Sequence, residues 1–143
     1  MALFGSDHGP ALGVSTADFD SDGWVDIYVA NDGGDNLLWM NQGDGTLSHL
    51  GLLSGVALSG DGTAEGSMGV DAADFDNDGD KDIMYMIEKI DIGLNYQISY
   101  DANITMNLLE NRGGRKFRNH SNISSVAEFD KYFMTPYIED FNS

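Results

Sequence analysis

The sequence predicts an all-β fold: consecutive four-stranded antiparallel blades of a β-propeller, about two blades and the start of a third. Three observations carry this. The 143 residues include 18 Gly and only 2 Pro at 41% hydrophobic content, which favours short strands joined by tight turns over long helices. Two acidic runs, Asp18-Phe19-Asp20-Ser21-Asp22-Gly23-Trp24-Val25-Asp26 and Asp74-Phe75-Asp76-Asn77-Asp78-Gly79-Asp80-Lys81-Asp82, stand 56 residues apart inside a longer repeat. Each copy of that repeat divides into four short segments of strand character, which is the content of one propeller blade.

The elements follow in order. Gly13 to Ala17 is the first strand and leads into the acidic run. Val25, Ile27 and Val29 then alternate with Asp26, Tyr28 and Ala30 at the period of two that a strand requires. A turn over Asn31 to Asn36 precedes a third strand, Leu37 to Asn41. Gln42-Gly43-Asp44-Gly45 is a hairpin turn whose glycines accept positive φ, and Thr46 to Leu50 returns as the fourth strand. Leu52 to Leu58 is apolar and reads either as a short helical turn or as a blade connection. The second copy keeps the 56-residue offset through Lys81 to Met86, then shifts to 70, where Leu108 to Phe117 matches Leu38 to Leu47. Fourteen residues have been gained, within a stretch, Ile87 to Met106, that has no counterpart in the first copy. Asp140-Phe141-Asn142 restarts the acidic run. The chain as a whole, 1–143, therefore reads as a partial propeller, with repeat 1 at about 12–67, repeat 2 at about 68–133 and a truncated repeat 3 at about 134–143.

Charge narrows the function. The net charge of −17 opposes an unassisted grip on nucleic acid or an anionic membrane surface. Residues 1–80 carry 15 acids and no Lys or Arg, so the acidity is local. With no Cys, disulfides, thiolate metal sites and cysteine nucleophiles are absent. No stretch approaches the roughly 20 apolar residues of a membrane span, so membrane insertion is not expected, and the opening Met1 to Pro10 has no signal-peptide pattern. Any secretion signal is expected outside this sequence.

Four aspartates in the first run and five in the second would repel one another if packed into one turn without a counter-charge. A divalent cation supplies it. The spacing Asp-x-Asp-x-Asp-Gly-x-x-Asp offers carboxylates at positions 1, 3, 5 and 9 and a main-chain carbonyl at 7, with Gly at 6 allowing the bend around a hard ion. The oxygen-only donor set suits Ca²⁺ over Zn²⁺ or Cu²⁺. The expected ligands are Asp18, Asp20, Asp22, the carbonyl of Trp24 and Asp26 in the first loop, and Asp74, Asp76, Asp78, the carbonyl of Asp80 and Asp82 in the second. Two Ca²⁺ sites are thus expected, against the competing reading of solvated Asp/Gly turns. An EF-hand is disfavoured twice over: position 12 is Val29 or Tyr85 where a bidentate Glu is needed, and the following segments alternate as strands.

These residues carry a resemblance. Ala17 to Asn31 and Asn36 to Thr46 resemble FG-GAP/VCBS repeats, the blades of integrin-alpha-like propellers, and most closely the acidic repeats of ASPIC/UnbV-type (cartilage acidic protein-like) proteins. The resemblance implies a propeller, calcium held in loops between adjacent strands of a blade, and an extracellular adhesion or scaffold role. The Phe-Gly place holds Leu12-Gly13 and Met68-Gly69, and no Gly-Ala-Pro follows, so an integrin-like ligand role does not carry over.

Other signals are weaker. Gly51-Leu52-Leu53-Ser54-Gly55 is not a nucleophile elbow, because its serine is one position late. His8, His49 and His120 stand singly. Arg112, Arg115, Lys116 and Arg118 sit at an expected hairpin tip and read first as a solvated turn, with a partner contact second. Trp24, Tyr28, Trp39, Phe75, Tyr85 and Phe117 fall at strand positions and are expected in the core or between blades. With every carboxylate at positions 1, 3, 5 and 9 committed to an ion, no general acid, base or nucleophile is in evidence, and no catalysis is expected. The expected role is an extracellular, periplasmic or cell-surface binding or structural module for a protein or glycan, completed by the remaining blades of a parent chain. The alternative is the accessory repeat region of a larger secreted hydrolase or lyase.

Overall fold

A computed structural model describes residues 9–89 and 103–123. The third acidic run, His8 and the middle of the Ile87 to Met106 stretch lie outside the described residues. Among the described residues, eight strands form one curled antiparallel sheet built of two meanders. The first comprises β1 (Ala11–Ala17), β2 (Asp26–Gly34), β3 (Leu37–Asn41) and β4 (Leu47–His49), each paired with the next. The second repeats it with β5 (Glu65–Ala73), β6 (Asp82–Lys89), β7 (Asn103–Asn111) and β8 (Phe117–Ile123). The all-β prediction and its four strands per copy hold, and each acidic run is the loop between the first two strands of its blade. The Leu52 to Leu58 segment resolves into both of its readings. One helical turn, α1 (Gly51–Ser54), is closed by left-handed Gly55, and buried Val56 and Ala57 lead on toward the second blade.

One expected turn is mostly strand. The Asn31 to Asn36 segment continues β2 as far as Gly34, because Asn31 pairs with Ala11 and because Asp32 and Gly34 pair with Gly66 and Glu65 of β5. That second pairing comes from the next repeat, so the local turn signal loses to a partner the local sequence does not reveal. The bridge ties the blades together, with Asn36 Nδ2 donating to Ser67 Oγ at 3.0 Å alongside it.

The sheet curls so that the two blades enclose one core, and equivalent strands turn opposite sides toward it. In β2 and β3 the covered side chains are Tyr28, Ala30, Leu38 and Met40; in β6 and β7 they are Ile83, Tyr85, Ile87 and Leu109. Tyr28 and Tyr85 meet with ring centroids 6.3 Å apart, and Phe19 meets Phe117 edge-on at 6.2 Å. Shifting the buried face of the first blade, with Phe19, by the repeat offsets gives Phe75, Met84, Met86, Leu108 and Glu110 on the second. Among the described residues that face is covered only in part: Leu108 is fully buried with Phe75 and Met84 against it, whereas Met86 is 39% exposed and Val70, Met84, Met86 and Met106 help line an open cavity of about 300 Å³.

Two glycines are set by close approach. A Cβ on Gly13 would stand 2.6 Å from the carbonyl oxygen of Met68, where β1 and β5 run nearest to each other. Gly43, at φ 74°, lies under the indole of Trp24. Trp24 is therefore not the strand residue expected: it sits in the acidic loop, 51% exposed, and lies over the β3–β4 turn. Gly13→Ala is predicted to cost about 1–3 kcal/mol, since even one methyl must push two backbones apart. Urea unfolding of the variant against the parent chain measures it.

Candidate metal centres

The two acidic loops are near copies in three dimensions. Asp18 receives the N–H groups of Asp22 and Gly23 at 3.1 and 2.8 Å, as Asp74 receives those of Asp78 and Gly79 at 3.1 and 2.9 Å. Asp22 Oδ1 accepts from the amide of Trp24, and Asp78 Oδ1 from that of Asp80, at 2.8 and 2.9 Å. Gly23 and Gly79 adopt φ of 91° and 98°, which gives the position-6 glycine its physical reason. Position 4 is also left-handed, Ser21 at φ 59° and Asn77 at 60°. Asn tolerates that conformation and Ser does so less readily, so this feature was only half-visible in the residue types.

Each loop gathers three of its expected ligands. Asp18, Asp20 and Asp22 offer carboxylate oxygens within 4.8 Å of one another, and Asp74, Asp76 and Asp78 do the same. Oxygens at roughly 2.3–2.6 Å from one Ca²⁺ stand up to about 5 Å apart across it, so both clusters fit a single hard cation. A more pointed observation comes from Asp20. Its side chain is 8% exposed, and its Oδ1 is buried with no hydrogen-bond partner, a costly arrangement unless something binds there.

The position-9 aspartates occupy a different setting. Asp26 and Asp82 are fully buried. Asp26 accepts the amides of Phe19 at 2.9 Å and Asn41 at 2.8 Å, one on each oxygen; Asp82 accepts those of Phe75 and Asn111 at the same distances. Each carboxylate thus ties the start of its own loop to the end of the third strand, and each oxygen keeps a lone pair that an ion could use. Burial, aided by the neighbouring negative charges of the loop, raises both carboxyls against those amide bonds, Asp82 to about 6. Burial followed by repulsion from Asp78 also raises Asp76. A divalent cation in each loop would relieve that repulsion. The position-7 residues Trp24 and Asp80 are held in their loops by the amide bonds already described.

Residues 18–85 match the family model for the FG-GAP-like repeat. The FG-GAP-like segment opens at the first aspartate of the first loop and closes three residues past Asp82, so it spans both candidate centres. Match and meanders agree on a propeller-type repeat module. No curated protein matches the chain.

Sequence reasoning missed part of the site. The Arg112 to Arg118 cluster is not simply a solvated tip, because Arg115 bonds Asp20 Oδ2 from the second blade and Lys116 Nζ donates to the carbonyl of Leu53. Their spacing from the first loop, 95 residues for Arg115 to Asp20, left no local signal. The Asn41 and Asn111 partners were visible only as matched letters of the repeat. Asp82→Ala is predicted to destabilise the chain by about 2–5 kcal/mol, since two buried amides lose their acceptor. Denaturant unfolding in a calcium chelator tests this, and a comparable loss there marks the clamp as independent of any ion.

Proposed function

We propose that the chain is a calcium-stabilised module of a β-propeller in a secreted or cell-surface protein, with a structural, adhesion or ligand-binding role and no catalysis of its own. The observation that carries this is the duplicated loop, three carboxylates drawn within 4.8 Å of one another in each, with a partnerless buried oxygen on Asp20 in the first. Asp18, Asp20 and Asp22 would hold one Ca²⁺ and Asp74, Asp76 and Asp78 the other; the carbonyls of Trp24 and Asp80 and the second lone pairs of Asp26 and Asp82 would complete the shells. The ion supplies counter-charge and rigidity. Weak sites of this kind stay filled only where free calcium is abundant, which favours export over the cytosol. Among the described residues no helix is long and apolar enough to cross a membrane. A protein or glycan is the expected partner, held on loops that the rigid sheets present. An assignment to the ASPIC/UnbV-type proteins within this repeat class also belongs to the proposal, and rests on the sequence resemblance alone.

Calorimetry is expected to show two Ca²⁺ per chain. At a tenfold excess over the dissociation constant each site adds about 1.4 kcal/mol of stability. Asp18→Ala combined with Asp74→Ala is expected to abolish both effects. Calcium heat that survives the double substitution would contradict the reading.

The less covered face of the second blade belongs to the same proposal. It is the repeat-equivalent of the surface that the second blade covers on the first, so its proposed occupant is the next blade of a longer parent protein. Without that blade, the 143-residue chain is expected to self-associate, and Met86→Lys to shift it toward monomer in sedimentation velocity. An unsubstituted 143-residue chain that stays monomeric at high concentration would count against a missing blade.

A further inference from the structure

The turn between β7 and β8 leans across the blade boundary onto the first acidic loop. Arg115, at φ 63°, places Nε and Nη2 at 2.8 and 2.7 Å from Asp20 Oδ2. Around it, Asn111 Nδ2 donates to the carbonyl of Phe19 at 2.8 Å, Phe117 meets the Phe19 ring, and Lys116 holds Leu53. The two loops are not equivalent in this respect. Among the described residues, no basic side chain forms an ion pair with Asp74, Asp76 or Asp78; the nearby Arg112 pairs with Glu110 at 2.6 Å and acts on Asp76 and Asp78 only through space. The first loop therefore has a cation bonded to one expected ligand, whereas the second has one only nearby, bonded to Glu110.

We propose that Arg115 is the resident counter-ion of the first loop: it competes with calcium for Asp20, so that the first loop binds the ion more weakly than the second, and filling it loosens the hold of the β7–β8 turn on the first blade. This rests on the calcium reading above. With Oδ2 bound to the guanidinium, Asp20 has only Oδ1 without a partner; that atom is buried, and the Asp20 carboxylate belongs to the three-carboxylate cluster. An ion sharing this carboxylate stands within a few ångströms of the guanidinium charge. A monovalent cation about 6 Å from a divalent one lowers its affinity by about tenfold even at the dielectric constant of water. Linkage makes the effect reciprocal: calcium must weaken the Arg115–Asp20 contact by the factor by which Arg115 weakens calcium binding. Arg115 thus acts as a positioning and affinity-setting residue, and it makes the joint between the blades responsive to calcium.

The test uses the full chain with one loop disabled at a time. Asp74→Asn with Asp78→Asn leaves the first loop, and Asp18→Asn with Asp22→Asn leaves the second. Titration with CaCl₂ at low ionic strength should give the first loop the weaker affinity. Arg115→Gln should tighten it by about tenfold, by less in high salt, and should leave the second loop unchanged. Arg115→Lys should stay close to the parent, because it keeps the charge. An unchanged or weaker first loop in Arg115→Gln overturns the proposal. No calcium heat from either loop overturns the calcium reading and this proposal with it. A second measurement needs no substitution: the side-chain Nε–H signal of Arg115 should move as the first loop fills, and a signal that stays still at saturation overturns the proposal.

Discussion

Two buried carboxylates organise each part of the molecule that matters to the site. Asp26 and Asp82 are charged groups without solvent, and each is tolerated because both of its oxygens accept a backbone amide. One amide comes from the acidic loop and the other from the end of the third strand. Asn41 and Asn111 extend the clamp, each donating to the carbonyl just before its aspartate, Val25 or Lys81, and accepting from the glycine of the following turn. Loop, sheet and hairpin are thereby fixed to a single point in each blade. The inner carboxylate pins the loop that carries the three outer ones, and the amides accepted by Asp18, Asp22, Asp74 and Asp78 fold it.

The second constraint is geometric. A sheet has two faces, and a stack of sheets covers one face of each with the next. The same repeat therefore sends Tyr28 and Leu38 of the first blade into the shared core and, from the second, Tyr85 and Leu109, one position along, while Leu108 is buried apart from it. The alternation of apolar residues on both faces, which reads as ambiguous in an isolated strand, is what a blade between two neighbours requires. Gly13 completes the joint, since the inner strands approach too closely there for any side chain.

Charge is distributed along the same joint. The first 80 residues carry no Lys or Arg, so any cation that meets the first loop must come from the second blade or from solution. Arg115 is that cation from the second blade. The acidity of the first blade and the basic turn of the second are complementary parts of one interface, which joins the chemistry of the loop to the packing of the blades.

The four-strand repeat, the two acidic loops and the glycine at position 6 were legible in the sequence, because alternation, spacing and positive φ are local properties of neighbouring residues. The three-carboxylate clusters were legible for the same reason, since positions 1, 3 and 5 lie on one tight turn. Tertiary structure decided the rest. Residues 31–34 became strand because β5 lies beside them, Trp24 left the core to cover Gly43, and Asp26 and Asp82 turned inward to amides on another strand. Arg115 reached Asp20 across 95 residues of chain. Each of these depends on a partner distant in sequence, and the energy of a contact is set by proximity in space, which spacing along the chain does not encode.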